Sequence, residues 1–191
     1  MKSKNRKEQI YQVATQMFRE KGYSSSSMRE LAERVGLEPS SLYSHIKSKE
    51  EILIQICDRC ADLFNQGIDE IIENSESSVQ KIEALIDLHI NIARDYPSSV
   101  TVFSDEWRHL PEKEMKEFLV DRKAYETKFK SIIAEGIESG EFYPMSKTTA
   151  FYLMINSIRW LHYTSSKRLI EDIENKRTEI KEFIKRGLVK K

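Results

Sequence analysis

The chain has 191 residues, of which 39% are hydrophobic and 32% charged, so it can bury a core beneath a polar surface. Its 31 basic and 31 acidic residues balance, which excludes a uniformly basic protein. The apolar run Ala150–Ile155 is far shorter than the roughly 20 residues that span a bilayer, and the basic N-terminus lacks the apolar segment of a secretory signal. We therefore expect a cytoplasmic protein that does not contact the membrane.

Apolar residues recur at helical spacing along nearly the whole chain, without an alternating strand pattern. Residues 5–21 form the first predicted helix, with Ile10, Ala14 and Met17 on one face and Gly22 at its end. The pattern predicts an all-α fold. Further long helices are predicted at residues 48–73, 79–96, 98–110, 112–139, 146–166 and 174–188.

Between the first two long helices, residues 22–53 indicate two short helices around a glycine turn. Ser27, followed three residues later by Glu30, is a capping-box pattern that begins a helix. Gly36 suits the left-handed position that ends this helix, and Pro39 suits the first turn of the next one. Two short helices about a tight turn make a helix-turn-helix, whose second helix can enter the major groove of DNA.

Charge is divided unevenly along the chain. Residues 1–50 hold ten Lys or Arg and six Asp or Glu, a net charge of +4, whereas residues 51–191 hold 21 and 25, a net charge of −4. Such asymmetry is expected when a basic, DNA-facing part is joined to a neutral or acidic part with another task. No flexible linker is present, so the boundary is expected inside the long helix that begins near residue 50.

The helix-turn-helix stretch carries, in order, Gly22, Tyr23, Ser27, Arg29, Leu31, Ala32, Val35, Gly36, Leu37, Leu42, Tyr43, His45, Lys47, Ser48, Lys49, Glu50 and Glu51. In order and spacing these residues resemble the DNA-binding domain of the TetR family of bacterial transcriptional regulators, over roughly residues 5–60. Two places depart from the family pattern. Pro39 and Ser40 stand where many relatives carry polar residues or glycine, so the operator sequence is not readable from this chain. Ile46 stands where phenylalanine is common, which is a change within the core.

The resemblance implies a three-helix helix-turn-helix domain over residues 1–50, followed by a helical ligand-binding and dimerisation domain over residues 51–191. It also implies a homodimer that binds double-stranded operator DNA, represses transcription and responds to a hydrophobic small molecule. We expect no enzymatic activity and no cofactor, because the sequence contains neither a nucleophile elbow nor a glycine-rich phosphate loop.

Several side chains near the helix-turn-helix are suited to DNA. Ser27 and Arg29 stand at a helix N-terminus, where a hydroxyl, a guanidinium and unpaired N–H groups together suit a phosphate. Glu38 can accept a hydrogen bond from a cytosine amine. Taken singly, each serine or lysine is also an ordinary solvated residue. Ser40 and Ser41 are candidates for close or water-mediated readout of bases, and Lys47 adds a further charge. Tyr43, His45 and Lys49 are candidate donors to the sugar-phosphate backbone. In relatives, the positions of Ser41, Tyr43, His45 and Lys49 touch operator DNA.

Residues 147–166 are apolar nearly all the way round, so a helix there must be covered on two sides. In a TetR-like protein these sides face the ligand pocket and the partner subunit. Arg159 lies within this segment and is expected to be buried, so it needs an anionic partner. That partner is either a side chain such as Glu106, in the same chain or across a dimer, or a phosphate or carboxylate of a ligand. The last helix would complete a four-helix dimer interface with the apolar stripe Ile173, Ile180, Phe183, Ile184 and Leu188.

A second set of residues comprises SDEWRHL at 104–110, then Asp121, Arg122, Tyr125, Glu126 and Phe129, then Arg159, Trp160 and Tyr163. This set is similar to that of a TetR subgroup that senses acyl-coenzyme A thioesters. The similarity implies that Arg122 and Arg159 meet the CoA phosphates, and that binding spreads two DNA-binding heads and releases the operator. The implied ligand-binding residues are Leu85, His89, Trp107, Arg122, Tyr125, Phe129, Tyr152, Asn156, Arg159, Trp160 and Tyr163.

Cys57 and Cys60 lie one helical turn apart, but no second pair of ligands at zinc spacing is present. We expect two buried structural thiols and no metal site. Three alternatives stay open: a TetR-like regulator of a different hydrophobic molecule, a small-molecule-binding or catalytic helical protein with a vestigial helix-turn-helix, and a protein that binds DNA constitutively to organise it. The donors clustered around the helix-turn-helix argue against the vestigial alternative.

Overall fold

A computed structural model describes residues 2–163 and 172–190, with side chains from residue 6 onward. Within these ranges the chain forms nine α-helices, two short 3₁₀ helices and no strand, which confirms the predicted all-α fold. None of these helices combines the length and apolar content needed to cross a bilayer. The α-helices are α1 Lys2–Lys21, α2 Met28–Val35, α3 Pro39–Tyr43, α4 Lys49–Asn74, α5 Ser78–Asp95, α6 Pro97–Asp105, α7 Glu112–Glu138, α8 Lys147–Arg159 and α9 Ile173–Leu188.

The observed helices follow the predicted ones, with two differences. The predicted helix 98–110 is divided, because α6 ends at Asp105 and Trp107–His109 forms a separate 3₁₀ turn. The predicted helix 146–166 is shorter, since α8 ends at Arg159 and a 3₁₀ turn continues to Tyr163. Residues 164–166 lie outside the part of the chain that the structure describes.

The chain divides into two compact units. Unit 1 comprises Met1–Ala61 and Ser98–Leu119, and unit 2 comprises Asp62–Pro97 and Val120–Lys191. Each unit has its own hydrophobic core. The core of unit 1 is built from apolar residues of α1, α2, α3 and the beginning of α4, together with Val102, Leu110 and Phe118.

Helix α2 is defined by its two caps. The Ser27 hydroxyl accepts from the backbone N–H of Glu30 at 3.2 Å, and Gly36 ends the helix in the left-handed conformation at φ +66°. The Glu30 carboxylate pairs instead with Lys21 and Arg34. The hydrogen bond to the Ser27 hydroxyl, one of the two bonds of the predicted capping box, therefore forms. In place of the second bond, the Glu30 carboxylate makes one ion pair with the end of α1 and another with Arg34 in α2.

The core of unit 2 is formed by α5, α7, α8 and α9 with the later part of α4. Ion pairs along α5 and α9 reinforce this packing: the Arg177 guanidinium donates to Asp87 at 2.7 Å and to Asn91 at 2.9 Å, and Lys181 donates to Asp87 at 2.6 Å. These bonds hold α9 against α5 through partly buried polar side chains.

Candidate DNA interface and effector site

The helix-turn-helix in unit 1 is positioned by its apolar side chains. Leu31 and Ala32 in α2 are buried, as are Leu42 on the inner side of α3 and Ile46 shortly after α3 ends. Because α3 has five residues, Leu42 alone anchors its body, at 0% exposure. The remaining side chains of α3 therefore face solvent on one short, fixed element.

All nine predicted DNA-binding residues belong to unit 1 and lie in α2, in α3 or close to their ends. Tyr43 presents 53% of its surface, which is high for a tyrosine. His45 and Lys49 are partly buried, and the others are exposed: Ser27, Arg29, Glu38, Ser40, Ser41, Tyr43 and Lys47.

Arg29 has an exposed side chain near the beginning of α2. Its Nε lies 3.4 Å from a carboxylate oxygen of Glu33, one turn further along the helix. An exposed pair of this kind contributes at most about 1 kcal/mol. The guanidinium can therefore exchange Glu33 for a phosphate at little cost.

Lys49, at the beginning of α4, has a second role beside the one that the sequence indicated. Its ammonium group donates to the backbone carbonyls of Tyr23 at 3.3 Å and Ser26 at 3.4 Å. It also lies 4.3 Å from the centre of the Tyr23 ring, within cation–π range. Lys49 thus ties the loop between α1 and α2 to α4, which fixes the start of the helix-turn-helix.

Glu51 supports the same region and was not among the predicted site residues. Its carboxylate accepts from the backbone N–H of Lys47 at 2.8 Å, from Lys7 at 3.2 Å and from the Tyr11 hydroxyl at 3.3 Å. The hydrogen bond from the Lys47 backbone is the first cause that holds the pKa of Glu51 below its ordinary value. Burial and then the Glu51 charge raise the pKa of Tyr11 to about 12. Glu51 therefore joins α1 to the turn that follows α3.

A cluster of aromatic side chains, three of them polar, lies inside unit 2. It consists of Phe64 from α4, His89 from α5, Tyr125 from α7 and His162 from the turn after α8; we call it the His89 cluster. The Nε2 atom of His89 lies 2.7 Å from the Tyr125 hydroxyl. The rings of His89 and His162 are nearly parallel, with centres 6.2 Å apart, and the Phe64 ring centre is 4.8 Å from that of His89.

Burial keeps both histidines of the His89 cluster uncharged at neutral pH. The pKa of His89 is lowered to about 3, first by burial and then by the positive charge that His162 carries once it is protonated. The pKa of His162 is lowered to about 4, first by burial and then by the charge of Arg159. Burial also raises the pKa of Tyr125. The Nδ1 atom of His89 is buried and has no hydrogen-bond partner among the described residues.

Four predicted ligand-binding residues come together in unit 2. Leu85 and Phe129 are fully buried in its core, and Tyr125 packs against the same core. The Phe129 ring centre lies 6.1 Å from that of Tyr125, and His89 follows Leu85 by one turn of α5. The structure therefore places Leu85, His89, Tyr125 and Phe129 together in the interior of unit 2.

Five others lie on the exposed side of α8 and its 3₁₀ extension: Tyr152, Asn156, Arg159, Trp160 and Tyr163. The prediction that Arg159 is buried is wrong, because its side chain is exposed in the structure. Its Nε donates to the Tyr163 hydroxyl at 3.2 Å, and its guanidinium lies 5.9 Å from the Tyr163 ring centre. The buried side of α8 is formed by Ala150, Phe151, Met154 and Ile158, and Arg159 follows Ile158 onto the outer side.

The last two predicted ligand-binding residues are not part of this group. Trp107 belongs to unit 1, where its ring stacks on that of Phe118 with centres 5.4 Å apart and packs on the core. Arg122 has an exposed side chain on α7 of unit 2. Glu106, considered above as a partner of Arg159, faces His109 in unit 1 at 3.4 Å.

Unit 2 also carries an apolar groove of about 680 Å³ between α8 and α9. Leu153 and Phe183 line it with 62% and 70% of their surfaces exposed. Ile184 and Leu188, on the adjacent side of α9, are buried in the core. The predicted stripe on α9 is therefore divided between the core and the outside, with Phe183 outside.

Two family models match this chain. One, described as bacterial regulatory proteins of the tetR family, matches residues 10–56. The other, described as a tetracyclin repressor-like C-terminal domain, matches residues 75–163. The chain belongs to the TetR family of transcriptional regulators.

Relatives of this TetR regulator are similar along most of its length. The HTH-type transcriptional repressor KstR2 of Mycolicibacterium smegmatis is 24% identical over 82% of this chain and 77% of its own. The fatty acid metabolism regulator protein of Bacillus subtilis is 27% identical over 70% of this chain and 69% of its own. The structure of AibR in complex with isovaleryl coenzyme A and operator DNA has a TM-score of 0.78 at 19% identity, covering 95% of this chain and 97% of that one.

Sequence reasoning missed Phe64 and His162 in the His89 cluster. Both are single aromatic residues within apolar helical patterns, which do not distinguish a core position from a site position. The two cysteines are free and buried, as expected. Burial is the first cause that raises the pKa of both thiols, that of Cys60 to about 12. The described His, Cys, Asp and Glu residues form no group of three that could hold a metal ion.

Proposed function

We propose that this TetR regulator is a homodimeric repressor that binds double-stranded operator DNA through α2 and α3 and is released from it by an acyl-CoA thioester. The observation that carries the DNA-binding part is the exposed donor set on α2 and α3 above a fully buried Leu42. The net charge of +4 in residues 1–50 adds the attraction to phosphates that such binding requires.

The proposed contacts divide into two kinds. Ser27, Arg29, Lys47 and Lys49 bind phosphates and set the orientation of the head, without reading sequence. Glu38, Ser40, Ser41, Tyr43 and His45 lie on or beside α3 and meet base edges or the adjacent backbone in the major groove.

The effector part of the proposal rests on the interior of unit 2 and on relatives. Leu85 and Phe129, fully buried in the core of unit 2, are the apolar residues that an acyl chain inserted beside the His89 cluster would pack against. The exposed Arg122 and Arg159 can meet CoA phosphates. A regulator of fatty acid metabolism is among the relatives, and AibR, which shares the fold, was solved with isovaleryl coenzyme A.

The homodimer part is supported by the groove between α8 and α9. Its exposed Leu153 and Phe183 form an apolar surface of the kind that marks an interface. We assign a second copy of this chain to it, with Tyr152, Asn156, Trp160 and Tyr163 beside it on the same exposed side of α8.

The DNA-binding part is tested by selecting duplexes from a random library and titrating the enriched duplex by fluorescence anisotropy at several salt concentrations. Lys47→Ala should weaken binding and lower the slope of log affinity against log salt by about 1, because one phosphate contact is lost. Lys113→Ala, which removes another exposed charge, on α7, should match the wild type. An unchanged salt slope in Lys47→Ala contradicts the phosphate role, and failure to enrich any duplex rejects DNA binding.

The effector part is tested with butanoyl-, octanoyl- and palmitoyl-CoA in the same assay, alongside thermal unfolding. A ligand that binds the native state raises the melting temperature, and a releasing effector lowers DNA affinity. A shift with one chain length and none with free CoA supports the proposal. Intact DNA binding without any response to the three thioesters rejects acyl-CoA and favours another hydrophobic effector.

A further inference from the structure

We propose that the Nδ1–H group of His89 donates a hydrogen bond to an uncharged carbonyl oxygen of the effector, and that Tyr125 is the positioning residue that sets this proton on Nδ1. The inference rests on the proposed function, since it takes unit 2 to hold a hydrophobic effector. It adds which chemical group of the effector is recognised and by which atom.

The hydrogen bond between His89 and Tyr125 can run in either of two directions. The two atoms are 2.7 Å apart, and at neutral pH one is an imidazole nitrogen of a neutral ring and the other a protonated phenol. If Tyr125 donates to Nε2, the ring proton is on Nδ1. If Nε2–H donates to the phenol oxygen, the phenol hydrogen needs another acceptor, and the structure shows none for it among the described residues. The first arrangement leaves fewer buried polar groups without partners and is the favoured one.

The other ring nitrogen of His89, Nδ1, carries a hydrogen in the favoured arrangement. This atom is buried, in a residue that is 4% exposed, and has no hydrogen-bond partner among the described residues. Buried donors in folded proteins are nearly always paired. Either a buried water or a ligand can supply the missing acceptor, and a preference for a thioester over a thioether distinguishes the two.

The surroundings of Nδ1 favour an acceptor without charge. The rings that surround His89 are those of Phe64, Tyr125 and His162. His89 itself stays neutral at neutral pH, so the rings around it offer no cation to a carboxylate or phosphate. The Arg159 guanidinium, whose charge acts on His162, belongs to an exposed side chain. An ionised acceptor would lose its hydration there without compensation. A thioester, ester or ketone oxygen meets the donor at a much smaller cost, which places the carbonyl of an acyl-CoA, and not its phosphates, at His89.

The direction of the hydrogen bond is testable without a ligand. A long-range proton–nitrogen NMR spectrum of labelled protein should show the Nδ1–H tautomer for His89. Tyr125→Phe, which removes the hydroxyl, should shift His89 toward the Nε2–H tautomer or a mixture. An Nε2–H tautomer in the wild type overturns the inference.

The ligand contact is tested by calorimetry on the full chain with octanoyl-CoA and S-octyl-CoA, a thioether of the same chain length that lacks the carbonyl. Wild type should bind the thioester about tenfold more tightly, as expected for one hydrogen bond. His89→Asn keeps an amide donor close to the Nδ1 position and should retain the preference. His89→Gln moves the amide toward the Nε2 position and should lose it, although both variants place a polar amide in the same core.

The outcomes separate the two proposals. Equal binding of both probes by the wild type overturns the His89 inference and leaves the acyl-CoA proposal intact. If neither probe binds, the acyl-CoA proposal fails, and the same proteins are examined by saturation-transfer NMR with 2-octanone and 1-chloroheptane. A preference for the ketone that His89→Gln abolishes supports the carbonyl contact. Equal signals, or no signal from either compound, overturn it.

Discussion

At the scale of single residues, His89 and His162 connect stability to pH. Their native pKa values of about 3 and about 4 lie below the value of roughly 6.5 that a histidine has in an unfolded chain. As pH falls below 6.5, the two histidines therefore bind protons in the unfolded chain but not yet in the native state. The contribution of the neutral histidines is present above pH 6.5 and is lost as pH falls toward 4.

We predict that His89→Asn reduces this loss. Each buried histidine adds a slope of up to about 1.4 kcal/mol per pH unit between its two pKa values, so the variant should lose roughly 1 kcal/mol less than the wild type between pH 6 and pH 5. Urea unfolding at these two values, followed by circular dichroism, measures the difference. Tyr125→Phe, which keeps both imidazoles, should retain most of the wild-type slope. Equal slopes in His89→Asn and the wild type would show that His89 titrates normally.

The same scale shows where sequence reasoning succeeds. Ser27 and Gly36 cap α2 as predicted, because cap positions depend on local backbone geometry. Lys49 was predicted as a phosphate donor. No sequence pattern shows that its ammonium group also donates to the backbone carbonyls of Tyr23 and Ser26, more than twenty positions earlier in the chain. Such contacts depend on tertiary packing, which spacing along the chain does not encode.

At the scale of helices, the close approach of α7 to the segment after it depends on Gly136. A Cβ atom at this position would lie 2.2 Å from the ring of Phe142, which is fully buried. Phe142 also joins Val189 through an isolated bridge, which brings the end of α9 to the same place.

Gly136→Ala should therefore destabilise the protein by about 1–3 kcal/mol through overpacking, despite the better helix propensity of alanine. Thermal or urea unfolding measures the change. Phe142→Leu should lose less stability in the Gly136→Ala background than in the wild type, since the smaller side chain relieves the clash. A stabilising Gly136→Ala would show that Phe142 repacks freely.

Helix phase explains the prediction that failed. Residues 147–166 are apolar nearly all the way round, so the sequence does not show which side of the helix is buried, and Arg159 was expected inside. Packing on unit 2 selects the side with Met154 and Ile158. Because neighbouring residues on a helix are about 100° apart, Arg159 then lies outside. Trp107 packs on the core of unit 1, and an aromatic residue in an apolar pattern likewise does not show which of two cores it joins.

At the scale of the whole molecule, the proposed dimer is the first property to test. Phe183→Lys places a charge where 70% of an apolar side chain is exposed in the groove. If a second copy covers this surface, the variant should be monomeric in analytical ultracentrifugation and bind the operator at least tenfold more weakly. Val120→Lys changes a residue on α7 that is 67% exposed and outside the groove, and it should remain dimeric. A dimeric Phe183→Lys protein would place the interface elsewhere.

The buried thiols of Cys57 and Cys60 also make the native protein convenient for spectroscopy. Each is 1% exposed, and burial keeps both in the unreactive thiol form at neutral pH. A cysteine introduced at the exposed Ser41 should react with a maleimide or spin label far faster than either native residue. The separation of two labelled heads in a dimer can then be followed by electron resonance, with and without effector, in a protein that keeps both of its natural cysteines.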